Sequence, residues 1–465
     1  MLTALLNLFH SLAPLAFYLA TIAVFFVSAF WRPQIGVYYL AFFLPLENVR
    51  YYLHAFPFGE KFVDILLLGV FIGIFSRRNG AEWLRSPVTA LLAVWGLMLY
   101  VSLFAGSYYL NFPLPISVSD SRFSDWKNYV EFFFFFLAAA GAIQTRREIA
   151  TLLLAMGGCY LMVNRAFHGT MSGRDLTSFS YEVRDAGPLG GAGENGLAAF
   201  EATCLLFLTA LLSFKFTRKV KLAVIGLMCT GVYCLLFTYS RGGYAAFVMG
   251  LIFLGLVKQR KLLVVVAVLL ISWQALLPIS VRQRITMTYD QSDGGGDLDQ
   301  SAQTRVDLWT DAERLIEANP VFGTGFQTYA YMGRVGGFRD THNYYVKILL
   351  ETGAVGLLVF LIVVWRMFAL GYQLYRRAED DPLLSALGLG FATLMVGMIA
   401  TNLFGDRWSF FQVDGWMWLL LGAVARGLAL VDEPEKAVDE ALELDSNEDE
   451  AMLVPEFSNS KTSLS

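Results

Sequence analysis

Charge is scarce in this chain of 465 residues. Asp, Glu, Lys and Arg make up 16% of it, while 56% is hydrophobic and 15% aromatic. A water-soluble domain carries about 25% charged residues, and no fold facing water on every side can hide this much apolar surface. The same scarcity excludes a disordered or collagen-like chain. Cysteine is sparse too. The four present, Cys159, Cys204, Cys229 and Cys234, all lie inside apolar runs. They read as small core residues, which excludes a disulfide scaffold. Only four histidines occur, and no His/Cys/carboxylate group has the spacing of a zinc site. The acidic, glycine-rich stretch 290–299 (DQSDGGGDLD) lacks the spacing of a calcium loop. There is no phosphate-cradling P-loop and no exposed basic patch, so neither a cofactor, a metal nor nucleic acid is expected.

What is present is long apolar segments. Runs of about 17–25 apolar residues can cross a bilayer, and thirteen candidates stand out: 8–30, 34–46, 61–76, 87–105, 128–144, 149–167, 194–214, 221–239, 243–257, 261–278, 342–369, 382–403 and 413–431. The expected fold is therefore an all-α polytopic integral membrane protein with about 12–13 spans. The N-terminal run has no basic flank and no small-residue cleavage site, which predicts a retained helix.

The net charge of −4 is an average over two unlike parts. From Asp432 onward there are 11 acidic residues and two lysines, a net of −9, so the body before it is +5. This acidic segment, 432–465, reads as a disordered tail. Lys and Arg in the body collect in alternate connections: Arg32, Arg77 to Arg85, Arg146-Arg147, Lys215 to Lys221, Lys258 to Lys261 and Arg376-Arg377. The excess of positive charge on the cytoplasmic side of membrane proteins predicts that these connections and the tail are cytoplasmic. The connections 47–60, 106–127, 168–193, 279–341 and 404–412 then face outward. The loop 279–341 is the one large soluble piece, and long structured loops are usually functional. Helical spacing runs from Ala302 to Ala318, with Asn319-Pro320 as its end.

Three outward positions carry the candidate chemistry. His342 follows Asp340-Thr341 at the start of a long helix. With Asp340 or Thr341 as N-cap, the ring falls in the first turn, where the helix terminus disfavours imidazolium and leaves a neutral general base. Arg241 sits in a Ser-Arg-Gly-Gly turn between two spans. A guanidinium at that depth needs a partner or an anion, and it fits phosphate oxygens in a two-pronged way. The two glycines let backbone amides approach such a ligand. Arg305 shares a helix face with Trp309 and could project at the same anion. Among the remaining acids, Asp64 lies one turn from Lys61, and Glu201 about two turns below Asn195.

These elements occur in a specific order: S-R-G-G at Ser240 to Gly243, then R-x-x-x-W at Arg305 and Trp309, then P-x-x-G-x-G at Pro320, Gly323 and Gly325. Last comes H-N at His342-Asn343, continuing L-x-E-x-G-x-x-G-L from Leu349 to Leu357. The arrangement resembles the O-antigen ligase superfamily, which includes O-antigen ligases, Wzy-type polysaccharide polymerases and pilin O-oligosaccharyltransferases. An N-G-L-A stretch at Asn195 and D-G-W-M-W-L-L-L-G at Asp414 are similar as well. The likeness is best over 190–430 and faint before it. The domain reading is accordingly 1–190 as N-terminal helices, 191–431 as the ligase-like region with the loop 279–341, and 432–465 as tail.

The resemblance implies a GT-C-like fold in a bacterial inner membrane, with the site facing the periplasm. It implies metal-independent, inverting transfer of a glycan from undecaprenyl pyrophosphate to an acceptor hydroxyl on a glycan or lipid. Other polysaccharide-assembly proteins would be possible partners. In that picture His342 deprotonates or positions the acceptor. Arg241 and Arg305 hold the pyrophosphate, and the adjoining Ser240 and Asn343 are further candidate substrate-binding residues. A repeat-unit polymerase is the alternative within the enzyme class. A lipid or polysaccharide transporter is the alternative outside it, although the internal symmetry and midplane acids of transporters are not evident.

Overall fold

The computed structural model describes residues 2–77, 86–287 and 300–452, with side chains described over 13–77, 86–287 and 302–432. Every one of the thirteen apolar runs is a helix. In chain order these are α1 (Leu2–Phe30), α2 (Pro33–Phe43), α3 (Phe62–Phe75), α4 (Pro87–Tyr109), α5 (Ser121–Ala142), α6 (Arg146–Met171), α7 (Gly193–Leu212), α8 (Arg218–Phe237), α9 (Arg241–Val257) and α10 (Lys261–Leu276). The large loop adds α11 (Ile279–Thr286) and α12 (Gln300–Ala318) before α13 (Tyr344–Arg377), α14 (Pro382–Thr401) and α15 (Phe411–Met452). No strand occurs among the described residues. The protein is an all-α, multi-pass membrane protein.

Eight of these helices are long and apolar enough to cross a membrane, and nine if the pair α10–α11, bent by 109°, counts as one span. The difference from thirteen has a simple cause. Helices α2, α3, α9 and α10 have 11, 14, 17 and 16 residues, and at 1.5 Å per residue they fall short of a hydrocarbon core about 30 Å thick. Helix α5 is long enough but carries Arg122, Asp125, Lys127 and Glu131. Thus α9 is helical over the sequence expected, yet it is too short to span unaided.

The bundle has a centre and a rim. Helix α14 is the most enclosed, with 83% of its apolar window buried, and it packs against α7, α9, α13 and α15. Helices α1 and α8, at 17% and 22%, form the rim. Helix α15 runs on from the bundle into the acidic segment as far as Met452. Ala, Leu and Glu, all strong helix formers, fill that part of the chain. Residues 453–465 lie outside the described residues, as does the whole stretch 290–299.

Helix α13 breaks at Gly353, whose φ of 66° is left-handed. The Pro320 to Gly325 turn is stitched into this break. The amides of Ala354 and Val355 donate to the carbonyls of Pro320 and Val321, at 2.9 and 3.2 Å, and those of Thr324 and Gly325 donate to Leu350 and Glu351, at 2.9 and 2.8 Å. A Cβ on Gly353 would run into the Val321 carbonyl, and one on Gly325 into the backbone of Gly106 on α4. The two glycine motifs of the sequence are therefore two halves of one close backbone junction. It fixes the end of the large loop against the helix that follows His342.

Candidate functional site

The amide Oδ1 of Asn195, at the start of α7, accepts from Ser240 Oγ at 2.9 Å and from Arg184 Nη2 at 2.9 Å. Arg184 also reaches Glu194 and the Thr238 carbonyl, so the N-G-L-A stretch and the S-R-G-G turn are cross-tied. Ser240 is the N-cap of α9 and Arg241 its first residue. Tyr239, before them, is buried and left-handed at φ 53°. The two glycines differ from expectation in what they do. Gly243 packs on Ala198 of α7 and donates to Ser240 Oγ, and Gly242 packs on Phe404. Their lack of a Cβ permits helix contact in the first place.

This turn forms one wall of a cavity of about 500 Å³. Arg241 and Arg305, far apart in sequence, both line it, together with Ser240 and Asn195. Arg241 Nη1 donates to the Met287 carbonyl at 2.7 Å. Two further arginines that sequence reasoning missed, Arg284 and Arg407, complete the lining. Arg284, on α11, donates to Tyr181 Oη and stacks over the rings of Phe179 and Tyr181. Its position after Pro278 in a basic V-R-Q-R run was a usable signal. Arg407 comes from the short connection between α14 and α15. Burial pulls it below the ordinary arginine range, and the carboxylates of Asp340, Asp406 and Glu194 act in the opposite direction.

His342 stands beside the cavity. Trp309, a cavity residue, donates its indole N–H to the Thr341 carbonyl at 2.9 Å. The local structure corrects the expected cap. Helix α13 starts at Tyr344, and Asn343 is its N-cap, accepting from the amides of Tyr345 and Val346. Asn343 thus uses its side chain on the helix and is not among the cavity lining. His342 precedes the cap, with φ 52°. Its polar partner is Asp340, which accepts from the His342 amide at 2.6 Å and lies 2.8 Å from Nδ1. Burial works to raise the Asp340 carboxyl, but the hydrogen bond and charge of His342, with Lys347, bring it down to about 2. Asp340, which the sequence offered only as a helix cap, is a third residue whose part in the site was missed.

Residues 225–361 match the O-antigen ligase family. That stretch, less than half of the chain, is what is similar to the family. The matched segment begins within α8, ends within α13, and contains Arg241, Arg284, Arg305, Asp340 and His342. Asn195 and Arg407 lie outside it, so the folded cavity draws on more of the chain than the matched segment. No curated protein matches the chain.

The intramembrane acids fall elsewhere. Asp64 pairs with Lys127 at 2.7 Å and not with Lys61, because α5 packs against α3. Glu201 is fully buried and accepts from Tyr160 Oη at 2.6 Å. Cys159, Cys204 and Cys234 are buried free thiols and Cys229 is exposed. Among the described residues no group of His, Cys, Asp and Glu could hold a metal.

Proposed function

We propose that this protein is a membrane glycosyltransferase that moves a glycan from undecaprenyl pyrophosphate to an acceptor hydroxyl at the outer face of a bacterial inner membrane. The observation that carries this reading is the meeting of Arg241 and Arg305 in one cavity with the Asp340–His342 pair at its edge. The O-antigen ligase match supports it.

The chemistry follows from those groups. Asp340 accepts a hydrogen bond from the Nδ1–H of His342, leaving Nε2 as the basic nitrogen. Nε2 takes the proton of the acceptor hydroxyl as its oxygen attacks the anomeric carbon. The bond from that carbon to the pyrophosphate oxygen breaks, the pyrophosphate leaves with the electron pair, and the configuration inverts. Charge grows on the leaving group, where paired guanidinium forks stabilise it. The lipid tail of the donor explains a site built beside membrane helices.

His342→Ala tests this directly. The variant should reach the membrane in normal amounts, bind lipid-linked donor, and lose at least about 10²-fold in transfer. Wild-type-like transfer would remove the base assignment. Product length on a gel then separates single transfer from repeat-unit polymerisation, since both use the same donor chemistry.

A further inference from the structure

Arg407 is held by its backbone but not by its head group. Its amide donates to Asn402 Oδ1 at 2.9 Å. The neighbouring Asp406 is pinned by Lys347 Nζ at 2.9 Å and by the amide and hydroxyl of Ser409. The segment is therefore rigid where it turns into the cavity. The guanidinium makes no hydrogen bond, and no ion pair within 4.0 Å, among the described residues. Room has been cleared for it: a Cβ on Gly405 would collide with the guanidinium, and a Cβ on Gly196 would stand 4.0 Å from it.

A guanidinium is always charged. Placing several around one cavity, half-buried, costs free energy unless an anion joins them. Arg284 already spends its donors and faces on Tyr239, Tyr181 and Phe179. Arg407 keeps its fork for a ligand. The carboxylates that act on it include Asp340, the partner of His342. Arg407 comes from the α14–α15 connection, whereas Arg241 and Arg305 come from α9 and α12.

We infer that Arg407 is a third anion-holding arginine, which grips a phosphoryl oxyanion of the donor from the α14–α15 connection. This rests on the donor reading given above and extends it to a residue outside the matched segment 225–361. The same chemistry could bind a phosphate on the acceptor, and the test separates the two.

The full-length protein in lipid nanodiscs is titrated with undecaprenyl pyrophosphate carrying no glycan. Arg407→Gln should weaken its binding about 10- to 100-fold, and Arg407→Lys should lose less, because charge remains while the fork does not. Arg377→Gln, at an exposed pair with Asp432, should bind as wild type does. Unchanged binding by Arg407→Gln overturns the inference. So does an equal loss in the Gln and Lys variants accompanied by a lowered melting temperature, which marks a structural role. A rise only in the acceptor KM, with donor binding intact, assigns the oxyanion to the acceptor and overturns the donor assignment. The wild type keeps the two readings apart. If it binds the lipid but transfers no glycan, the transferase reading falls while Arg407 stands.

Discussion

Asp340 accepts two hydrogen bonds from a single residue, His342, one from its amide at 2.6 Å and one from Nδ1 at 2.8 Å. The first bond fixes the left-handed backbone of His342 and the second fixes its ring, so one carboxylate sets both position and tautomer. Replacing Asp340 by Asn keeps the shape and removes the charge that stabilises a protonated ring. Turnover should fall about 10²-fold or more with the donor KM within about twofold. A variant that changed donor KM alone would place Asp340 in binding and not beside the base.

The same pair sets an acid limit on stability. Asp340 sits at about 2 in the fold against 3.8 when free. A depressed carboxylate stabilises the folded state fully above about pH 4, and this contribution disappears as pH falls toward 2. Melting temperatures taken between about pH 5 and pH 2.5 should drop more steeply for wild type than for Asp340→Asn. Parallel curves would show that the pair adds nothing to stability.

Arg241→Lys keeps the positive charge but loses the planar fork and the bond to the Met287 carbonyl. Donor affinity should weaken about 10-fold. If affinity and turnover matched wild type, two-pronged anion holding at this position would be wrong.

Gly353→Ala places a side chain at φ 66° and against the Val321 carbonyl. A loss of about 3 kcal/mol or more, or failure to accumulate in the membrane, is expected. Gly226→Ala on α8 meets open space and serves as the control, with stability equal or slightly higher. Similar unfolding midpoints for the two variants would show that the loop–helix junction tolerates a Cβ.

Lys347→Met leaves Asp406 buried without its partner, with side-chain exposures of 6% and 5% for the pair. Breaking a buried ion pair from one side costs about 3–5 kcal/mol, whereas replacing both members by apolar residues is often neutral. The double variant Lys347→Met/Asp406→Leu should therefore unfold later than either single one. If the double loss equalled the sum of the single losses, the two charges would not be acting as a pair.

The apolar runs were legible because a bilayer admits few solutions. Backbone groups in hydrocarbon must bond within their own segment, so a long apolar run is a helix whatever surrounds it. Arg241, Arg305 and His342 were legible because charge or basicity beside a membrane stands out against its neighbours. Arg407 and Asp340 were not. Each lies in a short polar connection where an Arg or Asp looks ordinary. Their importance depends on which helix ends come together, and no local spacing records that.

The sequence by itself determined the medium, the helices and the residue types that could hold an anion or take a proton. Local physics is enough for those, since hydropathy and hydrogen-bond satisfaction act within single segments. Only the tertiary structure decided which arginines share a cavity, that Asp340 and not the helix terminus partners His342, and that Asn343 caps α13. Those outcomes come from packing between distant segments: α7 against α9, the Pro320 to Gly325 turn against the break at Gly353, and the α14–α15 connection against the start of α13. Contacts of that kind depend on the shape of the whole bundle.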